Sequence, residues 1–222
     1  MANPNLFVFQ QPIDYILTVG TSTQVVTTAE AKNFLRIDSS NTSEDSLIDR
    51  LIATATNYFE RCTGRDLITK TYKCFLDNFP GNFSGYAALT YYGAYCIDQG
   101  IIIKKSKFQT ITSIEYYVDG VLTTFSSSKY YITEEADEFA GIYLVSGESW
   151  PSNVDNRKQA VKITLTSGYG AAASSVPDAI KQAILQYVTY LYENRGDCDC
   201  ADSRGYPQSA YVFFMQWKII DL

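Results

Sequence analysis

Histidine is missing altogether, with none in 222 residues. That absence removes the Ser-His-Asp and Cys-His hydrolase arrangements, the His-ligated zinc enzymes and the His general bases. Long apolar runs are missing too: no stretch approaches the roughly 18 uninterrupted apolar residues of a membrane span. The opening Met1–Pro12 has neither the basic region nor the apolar core of a secretory signal. A soluble, non-secreted chain is the expectation, which makes the sequons Asn41-Thr42-Ser43 and Asn82-Phe83-Ser84 chance matches. Neither G-x-G-x-x-G nor G-x-x-x-x-G-K-[ST] occurs, so nucleotide phosphates have no recognisable cradle. Cations are the scarcer charge, 18 Lys plus Arg against 24 Asp plus Glu, giving a net charge of -6. Tight wrapping of nucleic acid, which needs a basic stripe to release phosphate counterions, is disfavoured. The cysteines, Cys62, Cys74, Cys96, Cys198 and Cys200, number five; an odd count in a chain of this size fits free thiols better than a disulfide framework.

What is present is apolar and aromatic: 46% hydrophobic residues, with 18 Tyr and 12 Phe. A chain of this length buries roughly 70% of its unfolded surface, enough for one sizeable core or two small ones without staples. Residues 1–26 are polar and Thr-rich without a helical period, an N-terminal arm or short hairpin. Thr27 and Glu30 have capping-box spacing ahead of Ala31, Phe34 and Leu35, which predicts a short helix ending near Ile37. Thr42 and Asp45 repeat that spacing ahead of Leu47, Ile48, Leu51, Ile52, Ala55, Tyr58, Phe59 and Cys62, an amphipathic helix stopped by Gly64.

From residue 69 to about 167 the period becomes strand-like, with runs at 70–76, 100–104, 112–118, 121–125, 129–133, 141–145 and 160–166. Asp119-Gly120 between two such runs predicts a two-residue hairpin, because a type I′ turn needs positive φ at both central positions. The stretch 77–99 is too long for an ordinary connection and reads as an aromatic contact loop containing Phe79, Phe83, Tyr86, Tyr91, Tyr92 and Tyr95. Pro177 suits the first position of a helix carrying Ile180, Ala183, Ile184, Tyr187, Val188 and Leu191 on one face. Arg195 then complements the helix dipole and Gly196 supplies the left-handed cap. A polar loop, 197–205, precedes a final segment, 206–222, apolar on more than one face, whose period does not separate helix from strand. The expected class is α+β: a helical core of two N-terminal helices and a C-terminal helix (27–68 and 168–205), with an antiparallel β-rich region (69–167) inserted.

Candidate chemistry is thin. Cys198-Asp-Cys200 with Cys62 and Cys74 could make a thiolate metal site, but the spacing is not the favoured C-x₂₋₄-C, and Cys62 and Cys74 already fit core patterns. Gly147-Glu-Ser149-Trp-Pro151 lacks the second glycine and the histidine of a nucleophile elbow. Thr166-Ser-Gly-Tyr-Gly170 is simplest as a strand exit and turn. The acidic run Glu134-Glu-Ala-Asp-Glu138 could furnish paired carboxylates for acid-base work and reads more simply as a solvated loop. No cofactor or metal is expected. The Tyr and Phe residues are not interleaved with Lys and Arg as a base-stacking platform requires; Tyr enrichment suits a core and protein interfaces.

The order of elements and several local strings resemble the head-tail connector, or adaptor, family of tailed bacteriophages. The strings are residues 28–38 (TAEAKNFLRID), 45–52 (DSLIDRLI), 59–68 (FERCTGRDLI), 76–80 (LDNFP), 111–117 (ITSIEYY), 130–132 (YYI), Trp150-Pro151, 167–170 (SGYG), 176–183 (VPDAIKQA) and Tyr192-Glu-Asn-Arg195. The resemblance covers roughly residues 27–196. It implies a non-enzymatic structural protein of the virion, assembled in the host cytoplasm. It also implies a ring of copies, typically a dodecamer, beneath the portal protein, passing DNA through its lumen without sequence-specific binding, and involving no membrane. The C-terminal segment of such proteins commonly reaches the portal, which makes Tyr211, Phe213, Phe214, Trp217 and Leu222 the expected portal-docking residues. The arm 1–26 has no clear counterpart in the family, the aromatic loop 77–99, with Phe83, Tyr86, Tyr91, Tyr92 and Tyr95, is longer and more aromatic than the family pattern requires, and the last segment matches weakly. They are the expected contacts to a tail tube, nozzle or fibre. The competing reading is a carbohydrate- or receptor-binding β-rich module of a phage tail, using Tyr and Trp faces.

Overall fold

Thr27 opens the first helix as its spacing predicts. Its hydroxyl accepts from the Glu30 amide at 3.2 Å, and the Glu30 carboxylate accepts from the Thr27 amide at 2.7 Å. Helix α1 then runs Thr28–Leu35. It stops two residues short of the expected end because Arg36 takes the left-handed conformation, φ 59. Helix α2, Asp45–Thr63, is stopped by Gly64 at φ 73, where the absent Cβ removes the steric penalty of that conformation. Its start departs from expectation: the capping position is Glu44, with no side-chain cap. The Asp45 carboxylate is instead held by the Lys32 ammonium at 2.9 Å.

The computed structural model describes residues 14–80, 100–105, 107–135, 139–195 and 208–218. The chain divides into two compact units, Thr21–Thr69 with Gly168–Leu222, and Met1–Gly20 with Lys70–Ser167.

The first unit is helical. Helix α3, Asp178–Glu193, has Pro177 at its capping position and ends at Asn194 with φ -104; Gly196, expected as the left-handed cap, lies outside the described residues. Helix α4, Gln208–Gln216, resolves the ambiguous C-terminal segment as helix. Ile48, Ile52, Ala55 and Phe59 of α2, Ile180, Ala183, Ile184 and Val188 of α3, and Phe214 of α4 share one buried cluster. Val25 and Val26 lie in it as well, at 1% exposure each, although they stand in the segment read as an arm.

Among the described residues the second unit has eight strands: β1 Asp14–Val19, β2 Lys70–Leu76, β3 Ile101–Ile103, β4 Phe108–Val118, β5 Val121–Phe125, β6 Tyr130–Glu135, β7 Phe139–Leu144 and β8 Val161–Ser167. They form a five-stranded sheet in the order β1-β2-β8-β4-β5 and a three-stranded sheet in the order β3-β7-β6. Every described pairing is antiparallel. Strict alternation along β8, with Val161, Ile163, Leu165 and Ser167 buried and Lys162, Thr164 and Thr166 not, marks a strand with one core face. Tyr72, Cys74 and Leu76 of β2, Ile114 of β4, and Ile101, Ile103, Ala140 and Ile142 of the smaller sheet close one core with Phe79 and Trp150. Those last two rings stack at 4.9 Å and 10°. Phe79, expected in an aromatic contact loop, is therefore a core residue, and Trp150 of the discarded elbow string is another. Part of the segment read as an arm, β1, is an edge strand.

Candidate assembly interface

Several strings of the resemblance have a physical account in the helical unit. Lys32 is 4% exposed, and its ammonium donates to Ser39 O at 3.0 Å, Asn41 O at 2.6 Å and Asp45 Oδ1 at 2.9 Å. One cation thus gathers the α1–α2 loop. At the N-terminus of α2, Glu44 accepts from the Tyr192 hydroxyl at 2.5 Å and from Arg195 Nη1 at 3.0 Å. The hydrogen bonds from Tyr192 and Arg195 hold the Glu44 carboxyl below its usual range, and the same contact pushes the Tyr192 phenol up. Arg195, expected to complement the helix dipole, is one jaw of this clamp.

Arg65, 8% exposed, donates from Nε to the Trp217 carbonyl at 2.5 Å. Its guanidinium lies 5.9 Å from the Trp217 ring centre. The residue in the FERCTGRDLI string therefore anchors the C-terminal segment, a role that no local pattern around Arg65 announces. Helix α4 has two faces. Phe214 is 1% exposed and meets Phe59 edge-on at 5.1 Å and Tyr187 at 6.0 Å. Trp217 is half-buried and sits 6.5 Å from the Tyr169 ring. On the other side, Val212 and Met215 are 48% and 44% exposed.

The docking expectation thus splits. Phe214 is committed to its own core, because its ring fills the space between Phe59, Tyr58 and Tyr187; Tyr211 and Trp217 are half-buried. The apolar surface that α4 leaves open is Val212 and Met215, which were not singled out from sequence. Leu222 and the side chain of Phe213 lie outside what is described, as do Phe83, Tyr86, Tyr91, Tyr92 and Tyr95.

In the β-rich unit the Asp119-Gly120 turn forms as expected, with φ 51 and 78. Asp155, overlooked in the sequence, fixes it: Oδ1 accepts from the Asp119 amide and Oδ2 from the Gly120 amide, each at 2.8 Å. Tyr131, 49% exposed, stacks on Tyr143 at 5.8 Å. The Tyr143 ring in turn lies where a Cβ on Gly141 would fall, 2.4 Å away.

Catalytic and metal candidates do not converge. Cys74 is buried and its thiol is pushed up to about 12 by desolvation, which disfavours the thiolate a metal needs; Cys62 is exposed. Among the described residues no group of three or more His, Cys, Asp or Glu is placed to hold a metal. Cys96, Cys198 and Cys200 lie outside them. Glu134 and Glu135 belong to β6 rather than to a loop. Among the described residues no helix is long and apolar enough to cross a membrane.

Residues 26–133 match the family described as phage gp6-like head-tail connector protein. A comparison with curated protein sequences finds no match. Among solved structures, the fold is similar to a chain in the neck of an empty gene transfer agent (GTA) particle computed with C6 symmetry. The TM-score is 0.71 at 16% identity, over 95% of this chain and 97% of that one. A chain in the virion of the native gene transfer agent particle matches with a TM-score of 0.66 at 18% identity, over 94% and 96%. A third, in the neck of the native particle computed with C12 symmetry, gives 0.61 at 17%, over 93% and 97%.

Proposed function

We propose that this chain, whose residues 26–133 match the phage gp6-like head-tail connector family, forms a ring beneath the portal of a phage-like particle. The ring joins capsid to tail and passes DNA through its lumen. The observation that carries this reading is the family match in one stretch together with a likeness of fold over 95% of the chain. The C6 and C12 symmetries with which the similar necks were computed support a ring of copies. In this reading the protein is a structural component of the virion, assembled in the host cytoplasm.

Its partners are a portal protein, its own neighbouring copies and a tail tube, nozzle or fibre protein. The open face of α4, with Val212 and Met215, is the portal-docking surface, with Tyr211 and Trp217 at its margin. Residues 83–95 and the part of the N-terminal segment ahead of β1 carry the tail contacts. A net charge of -6, repeated around a lumen, favours sliding of DNA over adhesion, since like charge repels the phosphates.

Electron microscopy of the complex that co-purifies with this chain tests the proposal. A ring between portal and tail is the expected image. A peripheral position or a lone monomer would favour a glycan- or receptor-binding module, for which the stack of exposed Tyr131 on half-buried Tyr143 is the structural argument.

A further inference from the structure

The five-stranded sheet ends in two strands with unusual edges. Among the described residues, β1 pairs with β2 alone and β5 with β4 alone. Each therefore offers a row of backbone N–H and C=O groups on its outer side. Sheets that stay monomeric blunt such edges with Lys, Pro or inward-pointing charge. Neither strand carries Lys or Pro, and β1 has one register irregularity, between Leu17 and Val19. β1 reads DYILTV and β5 reads VLTTF, so Asp14, at the very start of β1, is the sole charged residue in the two, and there is no proline.

Both edges are also apolar on both faces. The register sets Leu17 opposite Tyr72, whose ring faces the core, and Ile16 and Val19 opposite Lys73 and Thr71, which do not. On β5, Val121 shares the core-side row with Thr123 and Phe125, and Leu122 opposes Tyr117 on the other side. These side chains are open: Ile16 45%, Leu17 49%, Val19 59%, Val121 64% and Leu122 37% exposed. The β5 edge is presented by a hairpin whose turn is already fixed by Asp155, so little ordering entropy opposes its use.

We propose that these two edges are the halves of one interface, and that β5 of one copy adds to β1 of the next. This rests on the ring reading above and names the surface that builds it. The occupant follows from symmetry. Pairing β1 with β1, or β5 with β5, about a two-fold axis would end at a dimer and leave the other edge bare. Joining unlike edges is heterologous and repeats until the rotation closes. Four successive antiparallel pairings separate β1 from β5, so the two strands run in the same direction within a copy. A ring that keeps this direction pairs them in parallel, with backbone hydrogen bonds supplying adhesion and Leu17, Ile16, Val121 and Leu122 covering each other on the two faces.

Thiol cross-linking tests this in the assembled particle. In a background with Cys62→Ser, Cys96→Ser, Cys198→Ser and Cys200→Ser, the double variant Leu17→Cys with Val121→Cys is treated with a short bis-maleimide. A ladder of multimers is expected from the double variant and none from either single variant. A dimer from a single variant would overturn the heterologous pairing in favour of a two-fold one. Rings visible by electron microscopy but giving no cross-link, with either this pair or Ile16→Cys with Leu122→Cys, would overturn the edge pairing and leave the ring reading standing. Absence of rings from wild-type particles would overturn the ring reading itself. As a second readout, Leu17→Lys with Leu122→Lys is expected to keep the circular dichroism of the wild-type chain while losing incorporation at least tenfold; unchanged incorporation would overturn the proposal.

Discussion

At the scale of single residues, two positions carry structure out of proportion to their size. Gly168 has φ +131, and a Cβ there would lie 2.7 Å from backbone atoms of Ile68 and Thr69. Those atoms cannot yield, because Thr69 N donates to Gly170 O at 2.9 Å and Tyr169 N to Leu67 O at 3.3 Å. Gly168→Ala is therefore expected to cost at least the ~1–3 kcal/mol of a residue forced into a sparsely populated conformation. A urea midpoint equal to wild type would refute this. Lys32 is the second. Its substitution by Met keeps the stem and deletes the charge, leaving two carbonyls and the Asp45 carboxylate without their donor. A loss of about 1.5–3 kcal/mol is expected, the range for hydrogen bonds to charged groups. The coupling is checkable in a double-mutant cycle: Asp45→Asn should cost clearly less on top of Lys32→Met than in the wild-type chain.

At the scale of elements, the C-terminal helix separates folding from docking. Phe214 fills space against Phe59, Tyr58 and Tyr187, so Phe214→Ala should destabilise the helical unit by about 3–5 kcal/mol. Met215→Asp, on the open face, should leave the unfolding midpoint nearly unchanged and reduce incorporation into particles. Equal incorporation of Met215→Asp and wild type would remove the open face of α4 from the docking assignment. This division shows what sequence could and could not convey. Local signals were legible wherever the chemistry was local: the Thr27–Glu30 box, Gly64 as a helix stop, the Asp119-Gly120 turn, and the alternation along β8. The second capping box failed because Asp45 had a competing partner, Lys32, that lies outside the helix. Phe79 was misread as a loop aromatic because its neighbour, Trp150, is distant in sequence. Arg65 and Asp155 were missed for the same reason: each acts on backbone atoms far along the chain, Trp217 and the Asp119-Gly120 turn, and no periodicity encodes such a meeting. On α4 the pattern was apolar all round, so the choice between Phe214 inside and Met215 outside could only come from packing.

At the scale of the whole molecule, titration ties the composition to the structure. With no histidine, no side chain has an ordinary pKa between the carboxylates and the thiols, so stability should be flat from about pH 5 to pH 7.5. Below that plateau the depressed carboxylates act. Glu30 is lowered chiefly by hydrogen bonds from Thr27, Asp38 by those from Ser40, Glu44 by those from Tyr192 and Arg195, and Asp77 by those from Lys158 and Gln159. Each binds its proton less readily folded than unfolded. Its contribution is thus complete above the unfolded carboxylate range of about pH 4 and disappears as pH falls through the folded pKa. Above the plateau the sign reverses. Burial pushes the Cys74 thiol up to about 12 and raises the Tyr15, Tyr130 and Tyr187 phenols. These groups stay neutral when folded and ionise more easily when unfolded, so stability declines from about pH 9 upward. Urea midpoints followed by tryptophan fluorescence and circular dichroism from pH 3 to pH 11 should trace a plateau with two falling limbs. A slope between pH 6 and pH 7 would contradict the argument, because no group described here has the ionisation to produce one. The acid limb should appear in both signals, since Glu44 and Glu30 stand in the helical unit and Asp77 in the β-rich one, whereas the alkaline limb owed to Cys74 and Tyr15 belongs to the β-rich unit. Substituting Cys74→Ala should therefore flatten the onset of the alkaline limb near pH 9 without moving the acid one, and equal flattening of both limbs would show that the two units do not titrate separately.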